Sequence, residues 1–204
     1  MRTVLGVVFA LGLTTAFVAL TTERTIVAHP APCDFLTGGG FIITTADGAH
    51  EAAKANFGIG GGCKHGSPTW GHLNYIDHAN GLHVHWTSIT AYLAEGDGTG
   101  DTRTDPKTKQ PLGTRLICGT ARTNQLGDVD FMVRASDLGE PGVNDEFDIR
   151  LSQGTRLVYS TDYFEGHHKL NDGNGGGGNI QLHKPNPSTF GEMGGSCPAR
   201  AATP

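Results

Sequence analysis

The chain has 204 residues, 31 of them glycine, and a formal net charge of −5 at pH 7. This length fits one domain of ordinary size, and no shift in composition marks a second one. Acidic and basic residues are interspersed without a Lys/Arg block, so we expect neither nucleic acid nor an anionic membrane surface as a partner.

The N-terminus has the pattern of a secretory signal. Met1-Arg2 precedes a nearly uncharged apolar run, the order of a charged start and an apolar middle in signal peptides. We expect residues 1–28 to form this signal. If it is not cleaved, the stretch 4–20 is long enough for an N-terminal membrane anchor. The sequence therefore predicts a secreted, extracellular protein, with anchoring by an uncleaved N-terminal segment as the alternative.

The four cysteines are expected to form two disulfide bonds. An even number in an exported chain favours disulfides over a metal cage, and no C-x-x-C spacing indicates a redox-active or zinc-ribbon site. Three pairings are possible. We favour Cys33 with Cys197, because they flank the patterned region and would clamp its ends, and this leaves Cys63 with Cys118.

Short β-strands follow one another along the rest of the chain. Runs of alternating or β-branched residues between turn signals predict strands at 37–44, 53–59, 71–77, 82–92, 114–121, 129–135, 147–151, 155–163 and 179–184. No segment after the signal keeps a helical period over three turns. The sequence therefore predicts a single antiparallel all-β domain of eight or nine strands over residues 29–185, either a sandwich or an up-and-down barrel. We expect a long exposed connection at 95–111 and an irregular C-terminal tail at 186–204.

The hairpin that turns at residues 79–81 allows its register to be predicted. The Asn-Gly pair in this loop readily adopts the positive φ values that reverse an antiparallel chain. A three-residue loop would pair Ile76 with Val84 and Asp77 with His83, which gives one clean apolar face. A two-residue loop would mix polar and apolar residues on both faces, so we prefer the three-residue loop.

Two histidines in this hairpin define a candidate metal site. His83 and His85 lie two apart on a strand and therefore project from the same face. In the preferred register Asp77 lies opposite His83, so one oxygen and two nitrogens would hold zinc or a similar divalent metal with a position left open. Cross-strand contacts on the solvent face are the alternative interpretation. His167-His168 and His183 would add ligands only if folding brought them near.

Two acidic segments are further candidates. Residues 95–101 alternate acidic and small residues as calcium loops do, but they lack the bidentate Glu of an EF-hand, and we expect a solvated loop. The turn around Asp137, Glu140, Asp145 and Glu146 offers paired carboxylates for acid–base chemistry, yet no aromatic residues flank it for a sugar ring. We therefore expect a hydrated turn. No nucleophile elbow, P-loop or complete H-E-x-x-H motif is present, so only the histidines point to an enzyme.

Five motifs occur in order along the patterned region: Thr37–Ile42, Asn56–Gly58, Gly71–His78, Gly139–Asp145 and Gly177–Lys184. Together they resemble the post-COAP family of exported bacterial domains, where COAP stands for choice-of-anchor protein. The resemblance implies a secreted, β-rich module of uncharacterised activity that often forms part of larger cell-surface proteins. It implies no catalytic residues for this chain.

These features together predict a secreted, disulfide-stabilised β-domain with a non-catalytic binding or structural role outside the cell. Its long loops would bind an extracellular ligand such as a carbohydrate or the cell wall. No cofactor is expected. The alternatives are a metal-binding protein or metal-dependent enzyme that uses the H-x-H strand, and a structural module with no ligand.

Overall fold

The computed structural model describes residues 33–44, 52–95, 103–161, 166–171 and 176–198 as an all-β domain. The strands within these ranges are β1 (Phe35–Thr44), β2 (Ala53–Lys64), β3 (Ser67–Asp77), β4 (Leu82–Ala94), β5 (Gly113–Thr123), β6 (Asp128–Asp137), β7 (Glu146–Gln153), β8 (Arg156–Ser160), β9 (Gly177–His183) and β10 (Gly194–Gly195). The predicted fold class is confirmed, and the short β10 is the strand that patterning did not indicate. None of the described residues forms a helix long and apolar enough to cross a membrane. The predicted signal at 1–28 lies outside the described residues.

All ten strands belong to one antiparallel sheet. Consecutive strands pair in order from β8 back to β1, β9 pairs with the free side of β1, and β10 pairs with β4. The outermost strands β8 and β9 do not pair, so the sheet is not closed into a barrel. Instead it folds back on itself as in a sandwich. Phe57 on β2 stacks on Phe147 of β7 with ring centroids 3.9 Å apart, and Tyr75 on β3 meets Tyr159 on β8 at 5.9 Å.

Alternate side chains of the long strands fill the core between these two halves. The apolar residues that alternate with polar or larger ones along β6 are all buried: Val129, Phe131, Val133 and Ala135. The outward residues between them are half-buried. Burying each large apolar side chain contributes about 1.5–3 kcal/mol, so this two-residue period is the main source of the fold's stability.

A glycine in β5 permits a close approach to β4, where the pairing is interrupted by β-bulges. A Cβ atom at Gly119 would lie 2.0 Å from the carbonyl oxygen of Ser88 and 2.8 Å from the Phe131 ring. Gly119→Ala is therefore expected to lower the free energy of unfolding by about 1–3 kcal/mol, as overpacking does. Urea unfolding at pH 7 measures the change. The matched control is Gly58→Ala in β2, whose Cβ would meet no atom within 4 Å and which should stay within about 0.5 kcal/mol of wild type. Equal losses in the two variants would contradict the expected steric conflict.

The register of the β3–β4 hairpin differs from the prediction. Ile76 lies opposite His83 rather than Val84, and Asp77 lies opposite Leu82 rather than His83. The loop therefore has four residues instead of three. The predicted pairs are wrong because the choice of register assumed that the inward face of the hairpin holds only apolar residues.

Asp77 is fully buried in this register, and its carboxylate finds its partners inside the domain. Tyr159 donates its hydroxyl hydrogen to Asp77 Oδ2 at 2.9 Å, and the backbone N–H of Ala79 donates to Oδ1 at 2.8 Å. The hydroxyl oxygens of Tyr75 and Tyr159 are 2.6 Å apart. Burial raises the pKa of Tyr159, so its phenol stays protonated and able to donate. A hydrogen-bonded carboxylate thus replaces an apolar residue in this part of the core.

The disulfide bonds join Cys33 to Cys63 and Cys118 to Cys197. All four cysteines are paired as expected, but the favoured pairing of Cys33 with Cys197 and Cys63 with Cys118 is wrong. Cys33 precedes β1 and meets Cys63 near the end of β2, because these two strands are antiparallel neighbours. Cys197 instead ties the tail to β5. The described part of that tail, residues 186–198, is attached to the domain by this bond and by β10.

A second buried polar group links the start of β1 to β4 and β5. Tyr92 donates its hydroxyl hydrogen to Asp34 Oδ1 at 2.6 Å, and Arg115 donates from Nε to Oδ1 at 3.1 Å and from Nη2 to Oδ2. All three residues are at most 4% exposed. Burial and the nearby Asp34 charge raise the pKa of Tyr92, so it remains a hydrogen-bond donor. The guanidinium and the carboxylate therefore neutralise each other inside the protein.

Candidate functional site

The three predicted metal ligands of the hairpin do not converge. His83 and His85 are exposed on the outer face of β4, whereas Asp77 points into the core. His85 Nδ1 is 2.6 Å from Asn74 Oδ1, a cross-strand contact of the kind named as the alternative. Within the part of the chain that the structure describes, no three His, Cys, Asp or Glu side chains are grouped so as to hold a metal ion.

The other histidines proposed as ligands lie on other parts of the sheet. His183 on β9 stacks on Phe35 with centroids 4.6 Å apart, and its Nε2 is 2.8 Å from Thr37 Oγ1. His167 and His168 both contact Asp148 on β7. Neither group adds a ligand to the hairpin.

The proposed calcium loop is described only at its first residue, because residues 96–101 lie outside the described ranges. Glu95 accepts a hydrogen bond from Arg134 Nε at 2.8 Å. Farther along the same connection, Asp105 is 4% exposed and accepts hydrogen bonds from the backbone of Lys107 and Thr108. The described end of this connection is mostly exposed, as expected, and the buried Asp105 holds part of it in an ordered turn.

The acidic turn after β6 contacts the outermost strand of the sheet. The prediction of a hydrated turn is wrong for its two aspartates. Asp137 and Asp145 are 3% and 0% exposed. Asp145 Oδ2 accepts the backbone N–H of Ile180 at 2.9 Å, and Asp137 Oδ2 accepts that of Leu182 at 2.8 Å. These N–H groups belong to the outermost strand β9. The carboxylates therefore take the place of a further strand and satisfy donors that would otherwise be unpaired.

Burial of Asp145 predicts a contribution to stability that is lost as pH rises. Loss of water raises the pKa of its carboxyl group from 3.8 to about 6, although the N–H groups of Leu138 and Ile180 oppose this shift. The folded state thus binds the proton more tightly than the unfolded chain does. The contribution is complete below pH 3.8 and lost as pH rises through about 6. Relative to Asp145→Asn, the wild type should lose free energy of unfolding over this range in urea titrations.

The pKa of Asp145 can also be measured directly and separately from those of the other carboxyl groups. The carbon-13 NMR signal of the Asp145 carboxyl carbon should titrate with a midpoint near pH 6. A midpoint at the ordinary value of 3.8 would contradict the expected burial effect.

A polar cleft of about 270 Å³ opens on the outer face of β5, β6 and β7. Leu116, Arg134 and Asp148 lie side by side across the three strands, and Met132 and Arg150 form the next row on the same face. The half-buried Leu116 and Met132 supply apolar surface between charged groups. Strands rather than loops therefore fix the positions of most lining residues.

Arg134 is held in place by two carboxylates. Its Nε donates to Glu95 Oε2 at 2.8 Å, and its Nη1 donates to Glu146 Oε2 at 2.6 Å. The side chain is 17% exposed. Burial alone would lower the pKa of Arg134, but the hydrogen bonds to Glu146 and Glu95 outweigh it and raise that pKa. The cleft thus contains a charged guanidinium in a fixed orientation.

Asp148 orients a histidine at the mouth of the cleft. Its side chain is 2% exposed, with Oδ2 2.8 Å from His167 Nδ1 and Oδ1 2.9 Å from His168 Nδ1. The backbone N–H of His168 also donates to Oδ1 at 3.2 Å. His167 lines the cleft and is 47% exposed. Because Nδ1 faces the buried carboxylate, Nε2 is the ring nitrogen that can meet a ligand.

Sequence reasoning did not assign Arg134, Asp148 or Arg150 to a site. A local signal was present, since all three occupy outward positions of strands that alternate with buried apolar residues. Charged residues on an outward face are equally typical of a solvated surface that binds nothing. Their grouping depends on the pairing of β6 with β7. It also depends on the chain returning at residues 166–168 to lie beside β7.

The fold and cleft define a disulfide-stabilised all-β domain with a polar, strand-built cleft on its outer face. Its two disulfide bonds indicate an oxidising environment of the extracellular type. Comparisons with protein-family models, with curated proteins and with solved structures gave no match.

Proposed function

We propose that this protein is a secreted, disulfide-stabilised β-domain that binds an extracellular carbohydrate or cell-wall ligand without catalysing a reaction. The observation that carries the proposal is the outer-face cleft, with its charged planar side chains held on neighbouring strands. Ligand sites are typically concave, with a few precisely placed polar groups on an apolar background.

Secretion is supported by two independent features. The first residues have the pattern of a signal peptide, and both disulfide bonds require an oxidising compartment to persist. The resemblance to the post-COAP family of exported bacterial domains points the same way. We assign the protein to the extracellular space on these grounds.

A saccharide suits the chemistry of the cleft. Sugars present hydroxyl groups that pair with planar groups such as guanidinium and imidazole, and their C–H faces pack on apolar surface. Arg134 and His167 supply such planar groups, and Leu116 and Met132 supply the apolar surface. Glu95 helps to orient Arg134, and Asp148 helps to orient His167. Ligand binding therefore costs little side-chain entropy.

The same contacts favour binding over hydrolysis. Glycoside hydrolysis uses two carboxyl groups, one as acid and one as base or nucleophile. Glu95 and Glu146 are both paired with Arg134, and Asp148 is bonded to two histidines. The carboxylates around the cleft therefore hold Arg134 and the two histidines in place.

The test is a binding screen against soluble and insoluble polysaccharides, with affinities then measured by titration calorimetry. His167→Ala removes the half-exposed imidazole and should weaken binding at least tenfold. The matched control is Arg122→Gln, because the Arg122 side chain is 74% exposed on the outward row of β5 outside the cleft. Binding that is equal in both variants, or no binding to any polysaccharide, would overturn the proposal. Circular dichroism should show the same β-spectrum for all proteins.

A further inference from the structure

We infer that the ligand is an extended, neutral oligosaccharide chain that runs along β6 and β7 from the cleft into a second hollow on the same face. This inference rests on the proposed function and specifies the length and direction of the ligand. Its basis is that two concave regions lie end to end on one face of the sheet.

The second hollow is a concavity of about 420 Å³ on the outer face of β5, β6 and β7. Asp130 on β6 and Ser152 on β7 lie opposite each other and line it. Met132 and Arg150, which line the cleft, form the preceding row on the same face. No further row of the sheet separates the cleft from the second hollow, so one chain can contact both.

Two polar side chains of the second hollow have no partner among the described residues. Ser152 is 7% exposed, and Asp130 is half-buried. Neither side chain makes a hydrogen bond or an ion pair with another described residue. Enclosed polar groups in folded proteins almost always have a partner, in the protein, in water or in a ligand. The Ser152 hydroxyl and the Asp130 carboxylate are therefore the groups with which a ligand can pair.

The other polar residues of the second hollow already have partners. Thr120 and Gln153 make hydrogen bonds within the protein, and Asp128 pairs with Arg122. A carboxylate only accepts hydrogen bonds, whereas a serine hydroxyl donates and accepts. Sugar hydroxyl groups can donate to Asp130 and pair with Ser152 in either direction. A second carboxylate would be repelled by Asp130, so a neutral sugar fits this end of the groove.

The distance along β6 sets the length of the chain. Arg134 lines the cleft, and Asp128 lines the far end of the second hollow. A strand rises about 3.4 Å per residue, so these two positions are roughly 20 Å apart, which is the length of about four sugar rings. A disaccharide reaches only one of the two concave regions, whereas a longer chain reaches both.

The experiment titrates the intact, oxidised protein with oligosaccharides of two to six rings. They are prepared from the neutral polysaccharides of the binding screen, with cellulose, chitin and starch among them. In at least one series the affinity should rise at least tenfold between two and five rings, because only the longer chains contact both regions. It should change little between five and six rings, because the groove is then filled.

Variants of the second hollow test where the added rings bind. Asp130→Ala should lower the ratio of six-ring to two-ring affinity at least fivefold, and Ser152→Ala should lower it in the same direction. The matched control is Ser67→Ala, because this exposed serine at the start of β3 lies outside both regions, and the ratio should be unchanged. In the wild type, the six-ring sugar should shift the backbone N–H NMR signals of both His167 and Ser152.

The results that would overturn the inference differ in what they leave standing. Equal affinity for two and six rings, lowered in His167→Ala, would overturn the inference and leave the proposed function intact. A length dependence that both hollow variants retain, with no shift of the Ser152 signal, would place the added rings outside the second hollow. Binding of acidic polysaccharides alone would overturn the inference only. An absence of binding to every saccharide would overturn the proposed function as well.

Discussion

Asp34→Ala is expected to lower the free energy of unfolding by about 3–5 kcal/mol, because it leaves the buried Arg115 guanidinium without its counter-charge. Arg115 is 2% exposed and donates to both carboxylate oxygens of Asp34. Tyr92 would also lose the acceptor of its hydroxyl group. Urea unfolding of the oxidised protein at pH 7 measures this loss.

Two further variants identify the cause of that loss. Asp128→Ala removes the partner of Arg122 in an ion pair whose side chains are 74% and 81% exposed, and it should cost less than about 1 kcal/mol. Arg115→Met added to Asp34→Ala removes the unpaired charge and should recover part of the stability. A loss in Asp34→Ala no larger than that in Asp128→Ala would contradict the buried ion pair.

Replacement of Cys118 and Cys197 by alanine is expected to lower the free energy of unfolding by about 4.5 kcal/mol in the chain-entropy account of disulfides. This bond closes the larger loop, with a sequence separation of 79. Replacement of Cys33 and Cys63, which are separated by 30 residues, should cost about 3.7 kcal/mol. Urea unfolding without reductant compares the two double variants with the wild type.

The pairing itself is tested by mass spectrometry of a non-reduced proteolytic digest. Linked peptides should contain Cys33 with Cys63 and Cys118 with Cys197. A peptide that links Cys33 to Cys197 would contradict this pairing and support the one favoured from sequence. Free thiols in the purified, non-reduced protein would contradict both.

The chain's two-residue periodicity was enough to locate the strands. In β2 and β6 the apolar residues of the alternating pattern, such as Phe57 and Phe131, are buried. This succeeded because alternation is a local property of an extended chain with one face against a core. The local pattern did not extend to β10, a two-residue strand of Gly194–Gly195 that exists only because β4 is beside it.

The predicted register of the hairpin was wrong because of a contact with a residue outside the hairpin. Asp77 was placed on the outward face because the register was chosen to give the hairpin one apolar face. Its partner is Tyr159, which lies 82 residues further along the chain. The shift moved Asp77 away from His83 and His85 and removed the basis for a three-ligand metal site.

The sequence by itself determined the strand positions, the all-β class and the use of all four cysteines, since each follows from residue type and local spacing. The tertiary structure alone decided which cysteines pair, why Asp77 and Asp145 are buried, and how Arg134, Asp148 and His167 come to share a cleft. These depend on contacts between residues far apart in the chain. Such contacts form through the pairing of strands or through the folding of the sheet back on itself, and a local pattern does not indicate which residues will become partners.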